Sequence, residues 1–322
     1  MQVHIKLEED ILQKLRCPIC KSNFELDGSF HCLNAQCRTS FPIVDGIPIL
    51  INEASSLFRI QDYINHRNTT WGLPSSKAER IAAKLVPDIS QNIKAQGNYA
   101  KFFQLLLREH PEPLVLVVGG SVVGKGMENG LSLSSVRFIE SDVSFGPRTA
   151  LVCDTHDLPF DNGTFDGVIA QAVLEHVVDP HRCVEEIHRV LKADGLVYAE
   201  TPFIQQVHMG RYDFTRFTHL GHRRLFRWFE EISSGAVCGP GMALAWSYYF
   251  FLRSFVKSEL VRKTVYAFAS FTSFWLKYFD YYLIDNPAAL DAASAFYFLG
   301  RRATHTLSDQ ELIKLFKGCS PP

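Results

Sequence analysis

Five short apolar runs constrain the fold of this chain most strongly. They lie at residues 114–118, 137–140, 150–153, 165–170 and 196–200, and segments with helical character separate them. Because strands buried on both faces appear as continuous apolar stretches, the pattern predicts an α/β fold with a parallel sheet covered by helices. Ligands of such sheets bind beyond the carboxyl ends of the strands, so the chemistry is expected just after each run.

The composition agrees with a folded chain of more than one domain. The 322 residues are 47% hydrophobic, and 33 Lys and Arg residues nearly balance 34 Asp and Glu residues. This composition excludes a disordered chain, and the near-neutral charge argues against a DNA-binding protein. The first fifteen residues contain acids and lack an apolar core, so no secretory signal is expected and a cytoplasmic location is predicted.

Four of the eight cysteines form two close pairs, Cys17 with Cys20 and Cys32 with Cys37. Two cysteine knuckles on short hairpins can close a tetrahedral site of four thiolates, which suits zinc. A segment of about 50 residues also has too little apolar area to fold without such a metal site. The spacing predicts a structural zinc ribbon, and four unrelated buried cysteines are the alternative.

The ribbon segment resembles a known family through these cysteines and the phrase Phe-Pro-Ile-Val-Asp-Gly-Ile-Pro-Ile-Leu at 41–50. It is similar to the small zinc-ribbon subunit that activates tRNA and protein methyltransferases, over roughly residues 11–53. The second cysteine pair is spaced by four residues rather than two. The resemblance implies a methyltransferase partner, here fused in the same chain.

Polar or glycine residues follow the first three apolar runs. Gly119 and Gly120 follow the first, where missing side chains let backbone N–H groups approach a ligand. Their spacing is neither a P-loop nor the dinucleotide fingerprint. Asp142 follows the second run, where two ribose hydroxyls can donate to it, and Asp154 follows the third, where it suits an exocyclic amine.

Three further motifs follow these residues in order, at 160–166, 173–177 and 186–195. Together the pieces resemble the Rossmann-like class I S-adenosylmethionine-dependent methyltransferases of the type 11 family, over about residues 114–202. The resemblance implies S-adenosylmethionine as cofactor. It implies that Gly119 and Gly120 face the methionine part of the cofactor and that Asp142 faces the ribose. Asp154 and the Thr155 backbone would face the adenine, and Gln171 and Ala172 would lie beneath the sulfonium.

The glycine loop departs from the family pattern at three positions. Val117 stands where the family usually has an acid, and Ser121 and Val123 stand where it has glycines. A scaffold that has lost the cofactor is therefore an alternative. The family resemblance also suggests a divalent metal site at Glu175–His176. However, Ala172 stands at the position of the first acidic ligand, so the sequence favours a helix cap and a core histidine at Glu175–His176.

The densest polar segment follows the fifth run, between residues 201 and 227. The family resemblance places this region next to the methyl donor, within reach of the acceptor. His208 is the predicted base, because a histidine can take a hydroxyl proton as the methyl group arrives, and His219 is the next candidate. Asp213, Arg216 and Arg223 are predicted to bind the acceptor, since guanidinium groups hold phosphate or carboxylate.

Aromatic residues are concentrated near the end of the chain, with 18 of the 40 between residues 241 and 300. The spacing predicts one helix with a broad aromatic face. This face could be a lid, a homodimer surface, or a hairpin that rests on the inner face of a membrane or admits a lipid-linked acceptor. A spanning helix is not expected, because glycine and proline interrupt the uncharged run at 232–252. The aromatic positions are Phe268, Phe271, Trp275, Phe279 and Tyr282.

The sequence predicts four segments: a zinc ribbon at 1–53, a helical linker at 54–112, a methyltransferase domain at 113–235 and an aromatic helical extension at 236–322. The predicted function is S-adenosylmethionine-dependent O-methylation of a small-molecule, glycan or lipid-linked acceptor. The segment after the fifth run is similar to methyltransferases found with glycan biosynthesis. Methylation of tRNA or protein is the alternative, but its Asn-Pro-Pro-Tyr-type loop is absent, since the fourth run ends in Ala-Gln-Ala-Val at 170–173.

Overall fold

The computed structural model describes residues 5–70 and 85–319, so most of the helix predicted at 77–85 lies outside the described residues. The strands, in chain order, are β1 Phe24–Leu26, β2 Phe30–Cys32, β3 Ser40–Phe41, β4 Ile43–Val44, β5 Ile47–Leu50, β6 Leu114–Val118, β7 Arg137–Asp142, β8 Leu151–Cys153, β9 Phe165–Gln171, β10 Leu191–Pro202, β11 Phe229–Cys238 and β12 Ala295–Arg302. The described α-helices are α1 Glu9–Leu12, α2 Ile60–Ile64, α3 Ala95–Glu109, α4 Glu128–Leu131, α5 Pro180–Val190, α6 His219–Leu225, α7 Pro240–Arg253, α8 Glu259–Ser273, α9 Asp280–Leu283, α10 Pro287–Ala292 and α11 Asp309–Leu312.

Nine of these strands form one sheet, in the spatial order β11-β12-β10-β9-β6-β7-β8-β5-β4. The six strands from β10 to β5 are parallel, and β4, β12 and β11 run antiparallel to their neighbours. All five predicted runs are strands of the parallel part, which confirms the α/β prediction. The chain moves outward from β6 to β8 and then returns to β9 on the other side of β6. This reversal opens a crevice at the carboxyl ends of β6 and β9.

Local sequence explains the elements that frame this crevice. The five residues of β6 are all buried, as expected for a central strand with apolar residues on both faces. Helix α5 starts at Pro180, whose fixed φ suits the first helical turn, and the Asp179 side chain accepts the N–H of Arg182 as an N-cap. Helix α3 buries Tyr99, Phe102 and Leu106 on the face toward the sheet.

The sheet extends beyond the predicted methyltransferase segment at both ends. Strand β5, in the predicted ribbon, pairs in parallel with β8. Strand β11 crosses the predicted boundary at residue 235, and β12, in the predicted extension, inserts between β10 and β11. Backbone pairing at the sheet edges thus joins segments that the sequence pattern separates.

The ribbon shares its core with the large sheet. Strands β1, β2 and β3 form a small antiparallel sheet. Leu15 and Phe30 belong to the same apolar cluster as Leu116 and Phe160, and the backbone of Arg16 donates to the carbonyl of Pro159 at 2.9 Å. The ribbon is thus packed as part of the main body.

The aromatic segment is interrupted, which corrects the prediction of one helix. Helix α8 ends at Ser273, a 3-10 helix spans Phe274–Phe279, and α9 follows. The uncharged run at 232–252 is divided between β11 and α7. Among the described residues, no helix has both the length and the apolar character needed to cross a bilayer.

Candidate active site

A cavity lies at the carboxyl ends of β6, β7 and β8, and we call it the first cavity. Five of the predicted cofactor residues line it, namely Gly119, Asp142, Asp154, Thr155 and Ala172. Gly120 does not line it, because its N–H donates to the carbonyl of Ser141 and the residue is buried beneath the loop. The strand topology therefore brings most of the predicted cofactor residues together.

Gly119 has a conformation and a packing that a side chain would disturb. Its φ is +70°, and a Cβ at this position would overlap the Val173 side chain. The glycine lets the backbone turn sharply from β6 while Val173 closes the wall of the first cavity.

We expect Gly119→Ala to lower the free energy of unfolding by about 2–4 kcal/mol, from left-handed strain and overlap with Val173. Gly163 is a matched control, because its φ is +64° and the nearest atoms to an added Cβ are 3.9 Å away. Gly163→Ala should cost only about 1–2 kcal/mol, the strain alone. Urea unfolding followed by circular dichroism measures both, and equal losses would show that the Val173 contact is unimportant.

Asp142 is held in place by two backbone groups. The N–H of Ser121 donates to one carboxylate oxygen at 3.1 Å, and the N–H of Ser144 donates to the other at 2.9 Å. Burial raises the pKa of Asp142. Each oxygen keeps a further lone pair, so a diol can still donate to the carboxylate from the first cavity.

Asp154 is paired with a buried histidine. The Nδ1–H of His156 donates to Asp154 at 2.5 Å, while Nε2 of His156 accepts the N–H of Asp179 at 3.0 Å. Burial raises the pKa of Asp154, but the hydrogen bonds from His156 and Ser56 outweigh burial, and the net pKa is lowered. Asp154 is therefore a fixed acceptor at the edge of the first cavity.

The segment that follows the ribbon forms another wall of the first cavity. Leu57, Phe58 and Thr70 line it. Ser56 donates its hydroxyl to Asp154 at 2.5 Å, and the Tyr63 hydroxyl donates to the carbonyl of Val143 at 2.7 Å. The ribbon is thereby connected to the cofactor residues through hydrogen bonds.

A second cavity adjoins the first at Ala172. Ala172 follows β9 and has φ +53°, which is uncommon for a residue with a side chain. Gln171 lines the second cavity rather than the first, and its side chain is bonded to Tyr99, to the Lys125 carbonyl and to Glu200. Of the two residues implied beneath the sulfonium, Ala172 alone faces the first cavity.

Several polar atoms of the second cavity lack partners among the described residues. Oε1 of Gln91, Oε2 of Glu175 and Oγ1 of Thr201 are buried without a hydrogen bond there. Glu200 is also buried, with Asn92 donating to it at 2.8 Å, and burial raises its pKa. Unpaired buried polar atoms are costly, so this lining favours a polar ligand.

His208 lies at the border of the two cavities with His176 and Glu175. The two Nε2 atoms are 3.2 Å apart, and Oε1 of Glu175 lies 3.6 Å from His176 and 3.9 Å from His208. Burial raises the pKa of Glu175 to about 8 and lowers that of His176 to about 4. The predicted base thus belongs to a cluster of three titratable groups, which we call the Glu-His-His cluster.

Asp213 and Arg216 form an ion pair with each other that shapes the His208 loop. The Arg216 guanidinium donates to both carboxylate oxygens of Asp213, and the backbone N–H of His208 donates to Asp213 at 2.8 Å. Burial raises the pKa of Asp213, but Arg216 and the His208 N–H outweigh burial and lower it to about 2. Both side chains line an open groove beside the second cavity rather than the cavity itself.

His219 and Arg223 are buried away from both cavities, which corrects their predicted roles. Nε2 of His219 lies 3.3 Å from the Ser234 hydroxyl. Arg223 donates to the carbonyls of Phe226 and Phe229 at 2.7 and 2.9 Å. These contacts hold α6 against β11, so both residues stabilise the fold.

The four ribbon cysteines converge, with all four Sγ atoms within 4.8 Å of one another. The Sγ atoms of Cys17 and Cys37 are 3.8 Å apart, and those of Cys20 and Cys32 are 3.4 Å apart. Thiolates about 2.3 Å from a tetrahedral metal stand about 3.8 Å from one another. The donor set and spacing therefore fit a tetrahedral metal without rearrangement of the backbone.

Comparisons with known proteins find relatives for the central part of the chain. The family model described as a methyltransferase domain of type 11 matches residues 131–199. A segment of 75 residues is 36% identical to the mitochondrial arginine-hydroxylase NDUFAF5 of Rattus norvegicus and covers 23% of this chain and 21% of that protein. The chain thus spans about a fifth of the length of that relative.

Two further comparisons concern the ribbon and the fold. A segment of 52 residues is 36% identical to a UPF0434 protein of Shewanella denitrificans and covers 16% of this chain and 93% of that protein. Among solved structures, a chain from the complex of the Haloferax volcanii Trm112 methyltransferase activator with a methyltransferase is similar at 16% identity and a TM-score of 0.40. That alignment covers 72% of this chain and all of the other.

Proposed function

We propose that this chain, whose residues 131–199 match the type 11 methyltransferase domain and whose ribbon is similar to a UPF0434 protein, transfers a methyl group from S-adenosylmethionine to an oxygen of a polar acceptor. The observation that carries this proposal is the meeting of two cavities at Ala172. One holds the residues suited to the donor, and the other holds unpaired polar atoms suited to an acceptor.

The donor would lie in the first cavity. In this arrangement Asp142 accepts from the ribose hydroxyls, Asp154 and the Thr155 backbone face the adenine, and Gly119 faces the methionine part. All four residues line that cavity. Bound there, S-adenosylmethionine supplies an activated methyl group, so alignment with the acceptor contributes much of the rate.

The acceptor would enter the second cavity. Gln91 and Thr201 offer it unpaired oxygens, and Glu200 adds a buried carboxyl group. We propose that the Glu-His-His cluster, at the border of the cavities, controls the proton on the acceptor oxygen. We propose that these polar groups bind a small molecule, or a glycan or lipid-linked group inserted end-on, rather than the body of a tRNA or protein.

The test is transfer of labelled methyl from S-adenosylmethionine to fractionated cell extracts. We expect label in small-molecule, glycan or lipid-linked fractions with wild type, and much less label with Asp142→Ala when the cofactor is subsaturating. Asp309→Ala is the control, because Asp309 is exposed and pairs with Arg224 far from both cavities. Label confined to tRNA or protein would support the alternative acceptor class, and no label anywhere would contradict the proposal.

We also propose that the four ribbon thiolates hold a structural zinc ion. The distances between the sulfur atoms support this, and four protein ligands leave no open position for a substrate. The ribbon is small, so metal ligation would supply much of its folding free energy.

The exposed aromatic surface suggests a membrane contact. We call Phe268, Phe271, Trp275, Phe279 and Tyr282 the aromatic ridge, and all five are exposed, between 48% and 83%. In the same segment Lys257 is exposed, and Lys277 is half-buried with its ammonium group bonded to the carbonyl of Asp88. Aromatic rings beside lysines favour the interface of an anionic bilayer, so we propose peripheral contact with a cytoplasmic membrane face through this ridge.

We expect the double variant Phe271→Ser/Trp275→Ser to weaken partition into anionic phosphatidylglycerol vesicles at least about tenfold, because each ring loses apolar contact with the bilayer. Vesicle co-sedimentation measures the effect. Phe316→Ser is the control, since Phe316 is similarly exposed outside the ridge. Equal binding by wild type and variant, or a ridge covered by a second copy in a stable homodimer, would contradict the membrane proposal.

A further inference from the structure

We propose that Glu175, His176 and His208 bind a divalent transition-metal cation at the border of the two cavities. The sequence favours a helix cap and a core histidine at Glu175–His176, and it gives no sign that a histidine 32 residues later completes a ligand set. The structure brings the three groups together, since Glu175 and His176 follow β9 while His208 follows β10.

The hydrogen bonds of the two histidines fix which nitrogen carries the proton. Nδ1 of His176 lies 2.8 Å from the carbonyl oxygen of Tyr212. Nδ1 of His208 lies 3.3 Å from the carbonyl oxygen of Gln206 and 3.4 Å from a carboxylate oxygen of Asp213. All three partners only accept, so each Nδ1 must donate. A neutral imidazole that donates from Nδ1 has a lone pair on Nε2.

Three electron pairs therefore face one another in the cluster. The two Nε2 atoms are 3.2 Å apart, and both face Oε1 of Glu175. Such an arrangement is repulsive unless a proton on Glu175 or a cation lies between the atoms, and only a cation can accept electron pairs from all three atoms at once. Histidines that ligate metals typically donate their other N–H to a carbonyl or carboxylate, as both of these do.

The distances fit a metal ion. A point equidistant from three atoms separated by 3.2, 3.6 and 3.9 Å lies about 2.1 Å from each, which is the length of a zinc bond to nitrogen or oxygen. Oε2 of Glu175 supplies independent support. Glu175 is 1% exposed, and this second oxygen is buried without a partner among the described residues.

The donor set selects the type of cation. Two imidazoles and one carboxylate suit Zn²⁺, Mn²⁺, Fe²⁺ or Co²⁺, whereas Mg²⁺ and Ca²⁺ prefer oxygen ligands. Three protein ligands leave at least one coordination position open. Glu175 and His208 line the second cavity and His176 lines the first, so the open position faces the place where donor and acceptor would meet.

The role of the cation rests on the proposed function and refines it. A hydroxyl oxygen of the acceptor would bind the open position, and the positive charge would lower its pKa so that the proton leaves to solvent. The oxygen lone pair then forms a bond to the methyl carbon as the carbon–sulfonium bond breaks, which leaves neutral S-adenosylhomocysteine. His208 acts here as a metal ligand, and the cation replaces it as the means of activating the hydroxyl.

The experiment is a calorimetric and spectroscopic titration of Co²⁺ into the full-length protein with its ribbon already loaded with zinc. We expect one additional Co²⁺ per chain, with visible absorption but no thiolate charge-transfer band. His208→Ala should weaken Co²⁺ at least about 100-fold, whereas His208→Asp, which keeps an oxygen donor, should recover part of the affinity. His305→Ala is the control, because His305 pairs with Glu311 at 3.3 Å on the surface.

Two results would overturn the metal site. One is a wild-type protein that takes up no Co²⁺ or Zn²⁺ beyond the ribbon metal, and the other is His208→Ala binding Co²⁺ as tightly as wild type. In either case the cluster shares a proton instead, and His208 remains a base. A parallel titration with S-adenosylmethionine separates the two proposals, since metal uptake without cofactor binding would remove the proposed function and leave the metal site.

Discussion

Cys17→Ser is expected to release the ribbon metal and to destabilise the whole protein. A structural zinc site contributes on the order of 10 kcal/mol of folding free energy in small ribbons. Cys17 is fully buried in the same apolar cluster as Phe160 and Leu116, so loss of the ribbon also exposes part of the main core. We expect the variant to carry one zinc per chain fewer than wild type and to have a melting temperature lower by more than about 10 °C.

The structure indicates that loss of the ribbon also affects the first cavity. Ser56 hydrogen-bonds Asp154, and Phe58 lines the first cavity, so unfolding of the ribbon should also weaken cofactor binding. Elemental analysis, thermal unfolding and cofactor titration measure the three effects. Cys319→Ser is the control, because Cys319 is exposed outside the ribbon. A metal-free ribbon that stays folded would contradict the zinc proposal.

His208→Ala is expected to lower methyl transfer by about 10²–10⁴-fold, the range for loss of a group that controls a proton in the transition state. Its side chain is 30% exposed and lies on a loop, so truncation should leave the fold intact. Affinity for S-adenosylmethionine should change little, because His208 does not line the first cavity. Single-turnover rates and an equilibrium cofactor titration give the two quantities.

The control for this prediction is His305→Ala, which removes a surface histidine and should leave turnover unchanged. A loss of cofactor affinity equal to the loss of rate would show that His208 serves donor binding. Full turnover by His208→Ala would show that the acceptor proton leaves without this cluster.

The sheet and the lining of the first cavity could largely be predicted from the sequence. A central strand such as Leu114–Val118 is apolar throughout because both of its faces are buried. Once the strands are identified, the topology requires Asp142 and Asp154 to meet at their carboxyl ends. The cysteine spacing likewise predicts the convergence of four thiolates.

The acceptor side could not be predicted in the same way. Gln91, Glu175 and Thr201 come from three distant segments, and only the folded chain shows that they share a cavity. Arg223 follows a pattern typical of a solvated helix face, yet it is buried because its guanidinium satisfies two carbonyl groups. The pairing of β5 with β8 depends on tertiary contact, since the sequence of β5 only continues the ribbon.

The central claim is that the first cavity binds S-adenosylmethionine, and calorimetric titration of this compound into the purified protein tests it most directly. We expect one site per chain in wild type. Asp142→Ala should weaken binding by roughly 1.5–3 kcal/mol, about 10- to 150-fold, the scale for hydrogen bonds to a charged group. No binding by wild type would favour a scaffold without cofactor, and equal binding by wild type and Asp142→Ala would contradict the placement of the ribose.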